Sequence, residues 1–146
     1  MIRSELNSTI KSPLGKAWLK KAERAANGIL KLKKDYTVSV VLVGRRRMGS
    51  LNKRYRNINK PTDVLSFGIG EKDGFVVPGA IKSLGEIIIC PETARQNAKA
   101  AGHSLTYEMQ SLYIHGLLHL LGHTHKEKIK AKKMLSLQEK IISSIK

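Results

Sequence analysis

The sequence predicts an α/β (α+β) fold, a single small mixed β-sheet packed with about five helices. Three observations carry that prediction. The 146 residues suit one domain, spanning 1–146, with a real hydrophobic core and little room for a second. Short β-branched or apolar runs alternate with longer stretches of helical periodicity. Hydrophobic residues make up 41% of the chain, a globular composition, and no internal repeat or low-complexity linker interrupts the alternation.

The elements follow in order. Ser12 and Pro13 supply a helix N-cap and first helical position. Leu14, Trp18, Ala25, Ile29 and Leu32 then recur at helical spacing. Tyr36 to Val43 is short and β-branched, a strand that Gly44 breaks. Met48, Leu51 and Tyr55 mark a short helix carrying a basic cluster. Asp63 to Phe67, "DVLSF", reads as a second strand, and the glycine-rich run from Gly68 to Ser83 as a loop or hairpin. Leu84 to Cys90, "LGEIIIC", is apolar almost throughout, which places it centrally in the sheet. Pro91 opens a helix through Ala101 and Gly102 closes it. Ser104 to Leu121 is a helix whose second half is nearly all apolar and therefore buried. The last helix is lysine-rich, with Met134, Leu137, Ile141 and Ile145 on one face.

Bulk properties narrow the function. No apolar run approaches membrane-spanning length. The N-terminus lacks the apolar segment and cleavage site of a secretory signal. With Cys90 as the one cysteine, no disulfide forms within the chain, and a cytoplasmic location is expected. Lys and Arg number 27 against 11 Asp and Glu, a net charge of +16, which favours a polyanionic partner. Between Arg45 and Lys60 there are seven basic residues and no acidic one. The seven lysines from Lys126 to Lys146 read instead as a solvated helix face.

Four of the five histidines fall in "HGLLHLLGHTH", His115 to His125. His115 and His119 lie four apart on a helix and project from one face. Gly122 ends that helix in a left-handed turn, which brings His125 back to the same point. Three imidazoles with an open fourth position describe a catalytic zinc site, and two apolar-helix histidines without a ligand would leave polar nitrogens unsatisfied. His123 rivals His125 if the helix continues past Gly122. The spacing is that of a metalloprotease-like histidine helix, in which a glutamate general base follows the first histidine. Here Gly116 stands in its place.

These residues carry a resemblance. "HGLLHLLGHTH" resembles the signature of the YbeY family, bacterial rRNA maturation factors with endoribonuclease activity: His-Gly-x-Leu-His-Leu-x-Gly-Tyr-Asp-His. "LNKRYRNINKPTDVLSF", Leu51 to Phe67, resembles that family's second hallmark, a Tyr-Arg pair followed by Pro-Thr-Asp-Val-Leu-Ser-Phe. "LGEIIIC" is similar to its Leu-Gly-Asp strand, with Glu86 in the aspartate's place. Where the family has Tyr-Asp before the last histidine, this chain has His123 and Thr124, so a carboxylate available to hold a ligating imidazole is missing.

The resemblance implies one Zn2+ per chain, held by His115, His119 and His125, and a functional arginine at Arg56. It implies a role in 3′-end maturation of small-subunit ribosomal RNA and in ribosome quality control, with ribosomal RNA and the small subunit or its proteins as partners. An RNA phosphodiester is already anionic, so a carboxylate beside the metal would repel it; Gly116 fits that chemistry, and fits equally a helix packed tightly on the sheet. Arg56, always charged and able to hold two phosphate oxygens, would stabilise the phosphate's charge. Arg45, Arg46, Arg47, Lys53 and Arg54 would meet RNA phosphates without reading sequence. Trp18 and Tyr36 read as core, leaving no stacking platform, so specificity would come from a partner such as the ribosome. Two other classes compete: a zinc hydrolase of a non-nucleic substrate such as a peptide, and a non-catalytic ribosome-assembly factor with a structural metal.

Overall fold

A computed structural model describes residues 1–68, 82–123 and 126–146. Its strands are β1 (Ile2–Ser8), β2 (Tyr36–Leu42), β3 (Val64–Gly68) and β4 (Lys82–Ile89). Its helices are α1 (Ala17–Leu30), α2 (Arg45–Arg56), α3 (Pro91–Ala101), α4 (Leu105–Leu120) and α5 (Lys128–Ser143). The strands form one mixed sheet in the order β1-β2-β4-β3. β1 and β4 run parallel to β2, and β3 is antiparallel to β4. This is the predicted α/β fold, with "LGEIIIC" inside the sheet as expected.

β4 explains the layering. Its residues alternate between two cores. Ile87 and Ile89 join Val38, Val40 and Leu42 beneath α1, α4 and α5, whereas Ile88 and Cys90 join Met48, Leu51, Leu65 and Phe67 beneath α2. A strand covered on both faces has no polar side, hence its continuous apolar run. α4 lies against β3 and β4 and also touches α1, α3 and α5, so it is the central helix. Met109, Tyr113, Ile114, Leu117 and Leu118 are all buried along it.

Three sequence expectations need correction. The first residues form β1, for which no element was predicted. Its buried Ser4 is satisfied by Tyr113, hydroxyl to hydroxyl at 2.7 Å, and by Glu23, which accepts from the Ser4 backbone N–H at 2.6 Å. The first helix begins at Ala17, not at Pro13, because the Ser12 hydroxyl donates to the Leu14 carbonyl at 2.6 Å and closes a local turn instead of capping a helix. Tyr36 is half-buried, while Trp18 is fully in the core. Most of the glycine-rich run, residues 69–81, lies outside the described residues.

Candidate functional site

The end of α4 is built by its sequence. Ser104 caps its start, accepting from the Tyr107 N–H at 3.1 Å. At its far end the Gly122 N–H donates to the His119 carbonyl and the His123 N–H to the Leu118 carbonyl, both at 3.0 Å. That pair of bonds is a Schellman motif, and it requires the left-handed backbone that Gly122 adopts at φ 98°. The helix therefore stops where the glycine predicted. His125 and Thr124, just beyond it, lie outside the described residues.

His115 and His119 meet as their spacing requires. Their Nε2 atoms are 3.1 Å apart, with rings 4.6 Å apart between centroids and 77° between planes. Two imidazole donors, each at a zinc–nitrogen distance of about 2.0–2.1 Å, stand roughly 3.3–3.4 Å from each other around a tetrahedral ion, within about 0.3 Å of the separation found here. The donor pair therefore fits a shared metal. On its other side, His115 Nδ1 lies 2.9 Å from the Gln138 side-chain oxygen on α5. Among the described residues no three His, Cys, Asp or Glu gather as a metal cluster, so the pair is what the structure offers towards the expected set.

Gly116 sits between the pair and the sheet. A Cβ built there would come 3.1, 3.2 and 3.3 Å from Ile87 Cγ2, Cγ1 and Cδ1. Those contacts are tight, and Ile87 is fully buried. Of the two explanations for this glycine, close helix–sheet packing has direct support.

A cleft of about 730 Å³ opens over the pair. Arg56, His115, His119 and Lys126 line it, with Ser66, Gly116 and the apolar side chains of Val64, Leu65 and Leu120. Arg56 enters from the last turn of α2. Its Nη2 donates to the Ser66 carbonyl of β3 at 2.9 Å, and its guanidinium carbon lies 4.7 Å from the Phe67 ring centroid, a cation–π contact. Asp63 accepts a hydrogen bond from Asn97 at 3.1 Å. The predicted arginine and the two helical histidines thus share one cavity.

The rest of the basic run is distributed. Arg45, Arg46, Lys53 and Lys60 line a second, more open hollow of about 630 Å³ with a single carboxylate, Glu92. Arg47 is exposed and lines neither cavity, and Arg54 lies over the Tyr55 ring at 5.2 Å. His103, the fifth histidine, is exposed and pairs with Glu108 at 2.7 Å. Two contributors escaped sequence reasoning. Gln138 sits in a lysine-rich helix without a motif, and the Ser66 contact uses a backbone carbonyl, which no side-chain pattern announces. Nearest to a signal was the position of Gln138 between Met134 and Ile141, on the buried face of α5.

A family described as Endoribonuclease YbeY matches residues 2–146. A protein of that name from Heliobacterium modesticaldum is 45% identical over 114 residues, covering 74% of this chain and 69% of the relative. Counterparts from Mycobacterium marinum and Mycobacterium tuberculosis are 41% and 40% identical over 109 residues, covering 72% of this chain. The matched segment spans 61% and 62% of those mycobacterial relatives, less than two thirds of their length. The solution structure of TM1509 from Thermotoga maritima superposes with a TM-score of 0.65 at 29% identity, covering 99% of this chain and 89% of that one.

Proposed function

The chain belongs to the YbeY family, and from that premise we propose that it is a zinc-dependent endoribonuclease acting on single-stranded RNA. In this reading it works in 3′-end maturation of small-subunit ribosomal RNA and in ribosome quality control, with ribosomal RNA and the small subunit or its proteins as partners. Residues 1–146 form one catalytic domain, acting in the cytoplasm. One Zn2+ is held by His115, His119 and His125. No helix among the described residues is long and apolar enough to cross a membrane. The observation that best supports the reading is the convergence of two imidazole nitrogens, 3.1 Å apart, in the cleft that Arg56 also lines.

The residues divide the work. His115 and His119 turn their Nε2 atoms to one point and would hold the ion there. A zinc ion would supply Lewis-acid chemistry suited to an already anionic phosphodiester. Arg56 would grip non-bridging phosphate oxygens and offset charge that builds during cleavage, since a guanidinium stays protonated and offers paired donors. The Ser66 carbonyl and the Phe67 face hold that guanidinium in the cleft wall. Val64, Leu65 and Leu120 lower the local dielectric and strengthen each of these interactions. Gly116 keeps a carboxylate out of the site, which disfavours a peptidase of the glutamate-base type.

Elemental mass spectrometry and cleavage of single-stranded RNA, run on the same preparations, test the proposal. About one zinc per wild-type chain is expected, with loss of metal and cleavage in His115→Ala, His119→Ala and His125→Ala. Cleavage at the wild-type rate by His119→Ala would sink the reading, because the activity would then belong to a contaminant or another site.

A further inference from the structure

We propose that Gln138 is a positioning residue for the metal site: its side-chain oxygen holds the His115 ring in the tautomer that leaves Nε2 bare towards the ion. The inference rests on the metal reading above and adds a residue that no motif contains. A neutral imidazole carries one proton. The Gln138 oxygen, 2.9 Å from His115 Nδ1, is an acceptor only, so that proton belongs on Nδ1. Nε2 then presents a lone pair, and this is the nitrogen that meets His119 Nε2 at 3.1 Å. Such an outer hydrogen bond orients a ligating histidine and fixes its tautomer.

The glutamine is itself well placed to do this. Met134 and Ile141, about one turn to either side of it, are buried, which pins that stretch of α5 against the core. Its side chain is half-buried, unlike the exposed lysines Lys132, Lys133 and Lys140 on the same helix. An amide also holds the ring without adding negative charge beside a cleft proposed to take a phosphodiester. A glutamate would make a stronger bond at the cost of that repulsion.

Two readouts test the role: the ring nitrogen-15 shifts of His115 in metal-free protein, and zinc affinity by chelator competition. Wild type, Gln138→Leu, Gln138→Glu and His119→Ala are compared. The wild type should show the Nδ1–H tautomer. Gln138→Leu should show mixed tautomers and bind zinc about 10–100-fold more weakly. Gln138→Glu, which restores an acceptor, should keep the tautomer and bind at least as tightly as wild type. A purely structural glutamine would leave the two variants alike in both readouts. Unchanged affinity in Gln138→Leu, or an Nε2–H tautomer in the wild type, overturns the role of Gln138 alone. A wild type that binds no more zinc than His119→Ala overturns the metal reading, and this role with it. The wild-type tautomer remains decisive even if Gln138→Leu fails to fold.

Discussion

Replacing Gly116 by alanine is expected to destabilise the protein, although alanine is the better helix former. At a mid-helix position the exchange should gain about 1 kcal/mol in propensity. Against that stands the added methyl, 3.1–3.3 Å from three side-chain atoms of Ile87. Ile87 is fully buried, and its strand is paired on both sides, by β2 at Val40 and by β3 at Ser66, so it has little room to give. Overpacking of this kind costs about 1–3 kcal/mol, which leaves a net loss of about 0–2 kcal/mol. A double-mutant cycle separates the two effects. Ile87→Ala removes Cγ1, Cγ2 and Cδ1 together, the three atoms that a new Cβ would meet. Alone it should cost about 2–5 kcal/mol as a cavity. In its presence Gly116→Ala should become stabilising by its propensity term, for a coupling of about 1–3 kcal/mol. Urea unfolding with unchanged slope measures each corner. A Gly116→Ala variant more stable than wild type, with no coupling to Ile87, would refute packing as the reason for the glycine and leave electrostatic exclusion of a carboxylate as its explanation.

Other expectations follow from the same geometry. Arg56 is exposed but held by the Ser66 carbonyl and the Phe67 ring, so Arg56→Ala should cost about 1 kcal/mol of stability while lowering RNA cleavage by about 10²–10³-fold; wild-type cleavage would remove the arginine from the mechanism. Chelation should lower the unfolding temperature reversibly, because at a free zinc concentration 1,000-fold above Kd the ion contributes about 4 kcal/mol, and His119→Ala should show no such shift. Joint replacement of Arg45, Arg46 and Lys53 by alanine should flatten the dependence of RNA affinity on salt by about 2 in log–log slope, at about 0.7 per lost phosphate contact, without weakening the fold. An unchanged slope would exclude the second hollow from binding.

What was legible followed from local chemistry. Pro91, Gly102 and Ser104 marked helix ends that the structure reproduces within a residue, because caps and left-handed turns are decided by the residues that form them. The meeting of His115 and His119 was readable from helical spacing alone. β1 was not, because one of its inward positions is a serine whose burial depends on a tyrosine hydroxyl 109 residues away. Ser12 offered a good cap and spent its hydroxyl on a carbonyl two residues on, a competition between turn and helix that composition does not resolve. The anchoring of Arg56 and the contact of Gln138 with His115 are likewise tertiary facts, each joining segments that the sequence lists as unrelated.

The two ends of α2 support an argument from physics alone that its charges serve a partner. A helix favours cations near its C-terminus and disfavours them near its N-terminus, by about 0.3–1 kcal/mol per charge. Lys53, Arg54 and Arg56 occupy the favourable end, so placing the cleft arginine there does not strain the helix. Arg45, Arg46 and Arg47 occupy the unfavourable end, in a first turn that has no acidic residue. Folding alone would select against that triplet. β3 lies at the end of the sheet order, so Arg56 reaches the cleft past its carbonyl edge without crossing the sheet, while Arg45 and Arg46 face the second hollow. A polyanion lying along α2 would neutralise the unfavourable end and deliver a phosphate to the favourable one. The charge that costs stability in the free protein is thus the charge that a bound RNA would relieve.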